Sequence, residues 1–301
     1  MKKIVEVKNV TKCFGKTTAV NDISLTIKKG STVAILGPNG AGKTTTISMM
    51  LGLLEPTAGE VKLFGEDPKQ LTVRNRIGAM LQEVSVIDQL KVREVIELFR
   101  SYYTHPLSTE ELISVTGLHE DVLKKWANKL SGGQKRRLGF ALALAGNPDL
   151  LFFDEPTVGL DITARKNFWD KVSMLKTQGK TIIFTTHYLQ EADDFSERII
   201  LFNNGEIVAD GKPDDIKNNI STRSVSFQSR DKHAAMTLVE SFEEVIHCYE
   251  KEDRIYAVTN DTDAVLAKVF SQGLPVKHVF VEQGRLEEVF DLLTSKQKGV
   301  L

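Results

Sequence analysis

The sequence predicts an α/β protein built on a parallel sheet, followed by a smaller α+β domain. A short β-rich run, Ser31-Thr32-Val33-Ala34-Ile35-Leu36, ends in a glycine-rich turn and gives way to helical periodicity. Two further apolar runs, Leu150–Phe153 and Thr181–Thr186, lack polar alternation, as do parallel strands covered on both faces. Residues 221–301 then change to a succession of shorter strands and helices.

The elements follow in order. After the glycine turn, Ile47, Met50, Leu51 and Leu54 stand at i, i+3, i+4 and i+7, one face of a helix, and Glu55-Pro56 is its expected stop. From about Leu90 to Trp126 the chain reads as mostly helical, with a Val92, Val95, Ile96 and Phe99 stripe. This stretch interrupts the strand–helix alternation and is expected to form a helical subdomain. Asn218-Asn219 and Ser221-Thr222 make a polar joint. Beyond it we expect a strand at Ser224–Gln228 and a helix carrying Ala235, Leu238, Val239 and Phe242. Strands at Val245–Tyr249 and Arg254–Thr259, a helix from Asp261 to Gln272 and a strand at Val276–Val281 follow. A last helix carries Leu286, Val289, Phe290 and Leu293. The order β-α-β-β-α-β plus a helix is compatible with a ferredoxin-like domain.

Length and composition bound the function. At roughly 150 residues per domain, 301 residues suggest about two domains. The 39 Lys+Arg residues nearly balance 40 Asp+Glu, so no basic surface is expected to coat nucleic-acid phosphates. With 41% hydrophobic and 26% charged residues, the chain can bury a core and is not disordered. Cys13 and Cys248 form neither a metal cluster nor a disulfide framework, which fits a reducing compartment. Charges interrupt the apolar residues of Met-Lys-Lys-Ile-Val-Glu-Val-Lys, so no signal peptide is expected. The longest apolar stretch, Leu138 to Gly146, is about half what a bilayer crossing needs. Work at a membrane would require a partner.

Gly37-Pro38-Asn39-Gly40-Ala41-Gly42-Lys43-Thr44 fits the phosphate-loop pattern G-x-x-x-x-G-K-[ST]. Glycines let successive N–H groups face phosphate oxygens, and the following helix adds its positive end. Lys43 would reach the β- and γ-phosphates, and the Thr44 hydroxyl would ligate Mg²⁺. The alternative, a chance glycine turn, arises about once in a hundred chains of this length from average residue usage.

Asp154-Glu155 follows the Leu150–Phe153 strand, where unpartnered carboxylates cost several kcal/mol if buried. A Mg²⁺–nucleotide supplies partners: Asp154 would hold the metal through its water shell and Glu155 would polarise the attacking water. A solvated loop start is the bland alternative. His187 follows Thr181–Thr186 in the same way, although a lone histidine is more often structural. Ligands of parallel sheets bind beyond the carboxyl ends of the strands. Lys43, Asp154-Glu155 and His187 all sit just past such ends. Leu130-Ser131-Gly132-Gly133-Gln134 opens a helical run and reads as a second anion-binding N-terminus or as an ordinary capped helix start.

These motifs together resemble the ATP-binding subunit of an ABC transporter over roughly residues 2–215. Gly37–Thr44 matches Walker A, Leu130–Gln134 the LSGGQ signature, and Leu150–Glu155 Walker B with its catalytic glutamate. Gln82 fits the Q-loop, Gly159-Leu160-Asp161 the D-loop and His187 the H-loop. The resemblance implies a P-loop NTPase fold with a RecA-like core, a β-subdomain and a helical subdomain at about residues 83–128. It also implies an ATP-binding domain spanning residues 1–220 and an accessory domain at 221–301. Implied catalytic residues are Glu155, His187 and Gln82; implied metal contacts are Thr44, Gln82 and Asp154.

ATP would be held by Gly37, Pro38, Asn39, Gly40, Ala41, Gly42, Lys43, Thr44 and Thr45, with Phe14 in the place of an aromatic that stacks on adenine. A buried core phenylalanine is the other reading of Phe14, and a solvated loop glutamine the other reading of Gln82. Two copies would sandwich each ATP, with Ser131, Gly132, Gly133, Gln134 and Asp161 contributed by the partner chain. The helical subdomain would dock separate integral-membrane permease subunits, placing the protein on the cytoplasmic face of the membrane. Asn147-Pro148-Asp149, Asp161-Ile162-Thr163-Ala164-Arg165 and Arg285-Leu286-Glu287-Glu288-Val289-Phe290 resemble the ABC-2 type multidrug, antibiotic and lipid exporter branch. A stand-alone ABC-type ATPase of translation or DNA repair is the alternative. A single phosphate loop, no sustained heptads and near-zero net charge weigh against it.

Overall fold

The computed structural model describes residues 2–82, 89–219, 223–251, 253–283 and 290. The chain divides into two compact units, Met1–Asp210 and Gly211–Leu301. Glu83, Ser221-Thr222 and all but Phe290 of the expected helix at Leu286–Leu293 lie outside the described residues.

The first unit begins with strands β1 (Lys3–Phe14) and β2 (Thr17–Lys28), then β3 (Thr32–Leu36), helix α1 (Lys43–Met50) and β4 (Ala58–Leu63). The order β2-β1-β4 makes an antiparallel sheet. Val5, Val7, Val10, Val20, Ile23, Leu25 and Ile27 point inward from it into the core, and Ile47 and Met50 of α1 join that core. The resemblance implied this β-subdomain, whereas the residue-by-residue reading assigned no strand there.

Next come α2 (Leu71–Arg74), β5 (Ile77–Met80), α3 (Val92–Arg100), α4 (Thr109–Thr116), α5 (Glu120–Leu123) and α6 (Gly132–Leu144). Val92, Val95 and Ile96 of α3 are buried, as the stripe predicts. Phe99 is half-buried and meets Tyr102 edge-on at 6.0 Å. The unit closes with β6 (Leu150–Asp154), α7 (Ile162–Thr177), β7 (Thr181–Thr185), α8 (Leu189–Phe195), β8 (Arg198–Asn203) and β9 (Glu206–Gly211), the last strand reaching one residue past the division.

The second sheet has the order β5-β6-β7-β3-β8-β9. The neighbours β5–β6, β6–β7, β7–β3 and β3–β8 are parallel. All five residues of each of β3, β6 and β7 are buried, which explains why their sequences carry no polar alternation. Asp154 pairs with Thr185, and Thr185 with Ile35, so these three strands end at one edge.

One helix is shorter than its periodicity predicts. α1 stops at Met50 rather than near Glu55-Pro56, because Gly52 takes a left-handed φ of 68° and turns the chain. Leu53 and Leu54 both donate their N–H groups to the Ser48 carbonyl, and Leu54 still packs on the core.

The second unit contains α9 (Pro213–Asn219), β10 (Arg223–Ser229), α10 (Lys232–Glu240), β11 (Val245–Lys251), β12 (Arg254–Thr259), α11 (Thr262–Ser271) and β13 (Val276–Gln283). Its antiparallel sheet has the order β11-β12-β10-β13. Val225, Phe227, Ile255 and Ala257 meet Ala235 and Val239 of α10 and Val265 and Val269 of α11 in a separate core. This β-α-β-β-α-β succession is the ferredoxin-like arrangement that the sequence suggests.

Candidate active site

Two glycines give the loop after β3 its shape. Gly37 has φ 152°, and a Cβ there would lie 2.4 Å from the Phe202 carbonyl oxygen. Gly42 caps α1 with φ 99°, and a Cβ there would lie 2.6 Å from the Ala19 carbonyl oxygen. Only glycine fits either position, so the loop packs closely on backbone from both sheets. Pro38, Asn39 and Gly40 form its more open side, and Ala41 is buried.

Lys43 opens α1 and is only 6% exposed. Its Nζ donates to the carbonyl oxygens of Gly37 at 2.7 Å and Pro38 at 3.0 Å. Burial pushes this ammonium below the ordinary lysine range, while Glu155 and then Asp154 draw it back up. A buried cation bonded, among the described residues, to carbonyls alone is incompletely compensated, and a phosphate anion fits that deficit. Thr44 is exposed and Thr45 half-buried on the same turn.

Asp154 and Glu155 are placed by β6. Asp154 is buried; its Oδ1 accepts from the Thr185 hydroxyl at 2.5 Å and its Oδ2 lies 3.5 Å from Thr44 Oγ1. Glu155, 8% exposed, has a left-handed φ of 50° and donates its N–H to Thr185 Oγ1 at 2.9 Å. Such a backbone conformation costs of order 1–3 kcal/mol for a non-glycine residue and turns the side chain away from the strand direction. Glu155 Oε2 accepts from Gln82 Nε2 at 2.9 Å, and Oε1 lies 2.5 Å from His187 Nε2. Gln82, Glu155 and His187 therefore meet on one carboxylate.

Ser131 caps α6. Its Oγ accepts from the Gln134 N–H at 3.3 Å, and its own N–H donates to Gln134 Oε1 at 3.1 Å. Around Gly132 a Cβ would meet nothing within 4 Å, which leaves this helix start open. Ser131, Gly133, Gln134 and Asp161 line a cavity of about 750 Å³ that Arg137 and Lys171 also face. Asp161 caps α7, its Oδ1 accepting from the Ala164 N–H at 2.8 Å. Among the described residues no hydrogen bond joins Leu130–Gln134 or Asp161 to Gly37–Thr45 of the same chain. Phe14 is 51% exposed at the end of β1, with Lys12 Nζ 5.2 Å from its ring centroid, so it is not a core residue.

Sequence reasoning missed Thr185, which ties both carboxylates together. A hydroxyl closing a strand whose centre, Ile182 to Phe184, is apolar is the available signal. It also missed Arg136, whose guanidinium burial pushes down while Glu155 and Asp154 oppose, and whose buried Nη1 has no hydrogen-bond partner among the described residues. The run of basic residues after the signature hid it. Among the described residues no cluster of three or more His, Cys, Asp or Glu could hold a metal ion alone. A divalent ion at Thr44 and Asp154 would have to take its remaining ligands from phosphate and water, as Mg²⁺ commonly does.

Comparison with known proteins adds to this geometry. The family model described as "ABC transporter" matches residues 20–158. The chain is 32% identical over 300 residues to the Nod factor export ATP-binding protein I of Burkholderia orbicola, covering 97% of each. It is 33% identical over 306 residues to the daunorubicin/doxorubicin resistance ATP-binding protein of Streptomyces peucetius, covering 97% of this chain and 92% of that protein. Among solved structures it is similar to a dimeric post-hydrolysis ATP-binding cassette bound to ADP and Pi. That likeness has a TM-score of 0.64 and 32% identity, and covers 69% of this chain and 98% of that one.

Proposed function

The chain belongs to the family of ABC transporter ATP-binding subunits, and from that premise we propose that it is the ATPase of an exporter whose membrane-spanning subunits are separate chains. The observation that carries the reading is the meeting of Gln82 and His187 on the two oxygens of Glu155, beside Lys43 and Asp154 at one sheet edge. No helix among the described residues is long and apolar enough to cross a membrane. We place the protein on the cytoplasmic face, held there by the permease.

ATP is the substrate, and Mg²⁺, when bound with it, would supply charge neutralisation for the phosphates. Lys43 would exchange its carbonyl partners for phosphate oxygens, and Thr44 and Asp154 would hold the metal. Phe14 would stack on the adenine. Glu155 would orient the attacking water and take its proton, with Gln82 and His187 fixing the direction of the carboxylate. The open α6 N-terminus with Ser131, Gly132, Gly133 and Gln134, together with Asp161, would complete the pocket of a second copy. Phosphate at a helix start gains from the exposed N–H groups and the helix dipole. The 221–301 domain is an accessory module outside this chemistry.

The name of the Burkholderia orbicola relative, which refers to export, favours this reading over a stand-alone ATPase. Affinity purification from detergent-solubilised membranes tests it. Recovery of a polytopic membrane protein with ATPase activity is expected, and co-sedimentation with ribosomes instead would overturn it.

A further inference from the structure

We propose that Glu191 is a positioning residue for hydrolysis, holding His187 against Glu155 by clamping both of the loops that carry them. The inference rests on the assignment of Glu155 and His187 given above.

Glu191 lies in the first turn of α8 and is only 4% exposed. Its Oε2 accepts from the Thr186 hydroxyl at 2.5 Å, one residue before His187. Its Oε1 accepts from the Thr157 hydroxyl at 2.7 Å, two residues after Glu155. Both ends of the 2.5 Å contact between His187 and Glu155 are thus fixed from behind by one carboxylate. Thr186 Oγ1 also accepts the Tyr188 N–H at 3.0 Å, so the backbone on both sides of His187 is tied to the same group. Arg165 of α7 completes the cluster, with Nε 3.6 Å from Glu191 Oε1 and its guanidinium 3.7 Å from the Tyr188 ring centroid.

A carboxylate at this depth is unfavourable unless every oxygen is engaged, and an apolar side chain could fill the same space without that penalty. Two short hydroxyl bonds to two different catalytic loops are what the carboxylate adds. An imidazole and a carboxylate act together only when held within hydrogen-bond reach, so loosening either loop lowers turnover without touching the nucleotide cradle.

The test is a kinetic cycle on the full chain, measuring release of ³²P-phosphate from γ-labelled ATP. Glu191→Gln keeps the volume and should lower kcat by about tenfold, the effect of losing one bond to a charged group, with KM within about twofold. In a His187→Ala background the same substitution should change kcat by less than about twofold, because the group it positions is gone. Thr186→Val, which removes one hydroxyl and keeps the side-chain shape, should repeat the pattern and substitutes for Glu191→Gln if that variant does not fold. An unchanged kcat, a loss confined to KM, or an equal loss in both backgrounds would overturn the proposal. A wild-type chain without ATPase activity would remove the functional reading and this inference together, whereas an active wild type with an additive cycle removes this inference alone.

Discussion

Thr185→Val removes a single oxygen from the centre of the site. Thr185 is fully buried at the end of β7, where its hydroxyl donates to Asp154 Oδ1 at 2.5 Å and accepts the Glu155 N–H at 2.9 Å. Valine keeps the β-branch and nearly the same volume, so the strand packing is preserved and the two hydrogen bonds are isolated. A hydrogen bond to a charged group contributes about 1.5–3 kcal/mol, and an unpaired buried N–H costs about 1–3 kcal/mol. Release of Glu155 from its left-handed backbone offsets part of the sum, leaving about 3 kcal/mol. For a unit the size of Met1–Asp210, each kcal/mol shifts Tm by about 2–4 °C, so the first unit should melt about 6–12 °C lower. Turnover should fall at least about tenfold, because Asp154 and Glu155 lose their common anchor. Scanning calorimetry and steady-state ATPase rates read the two effects. A variant that melts within about 2 °C of wild type and keeps its kcat would show that Thr185 does not organise the carboxylates.

Two other outcomes follow from single residues. Lys43→Ala removes the charge that faces the phosphate loop and should weaken ATP by about 1.5–3 kcal/mol, or about ten- to a hundredfold in Kd, by titration calorimetry. Burial, helped by Glu240, pushes the Cys248 thiol up to about 11, well above the ordinary thiol range. The unfolded chain therefore releases this proton first, and the second unit should lose about 2–3 kcal/mol as pH rises from about 9 to about 11, with the contribution fully present below pH 9. Urea melts of wild type and Cys248→Ala across that range should diverge in slope; parallel profiles would contradict the burial argument.

Much of this architecture is legible in the chain. β3, β6 and β7 announce themselves because a strand buried on both faces has no alternating polar face, and the polar residues at and just beyond their ends mark the edge at which parallel sheets bind ligands. β1 and β2 escape that reasoning. Each is twelve residues long with register shifts, and residues such as Asn9 and Asp22 with φ of 49° and 44° interrupt the period-two pattern. The end of α1 escapes as well, since the apolar stripe continues to Leu54 although Gly52 has already turned the chain. At the site, Gln82 could not be assigned from its own neighbourhood, because the group that orients it, Glu155, is distant in sequence. Thr185 and Glu191 were hidden for a related reason. Their roles depend on hydrogen bonds between loops, and no spacing rule encodes which hydroxyl meets which carboxylate.

Among the described residues of one chain Ser131 has no hydrogen bond to the phosphate loop, so a complete site requires that ATP bring two copies together. Sedimentation velocity of Glu155→Gln with ATP and Mg²⁺ measures this directly. The variant keeps the nucleotide cradle and should lose about 10²- to 10⁴-fold in hydrolysis, the usual contribution of a positioned base. A dimer should form with ATP and dissociate when ATP is withdrawn. A species that remains monomeric at saturating ATP would contradict it.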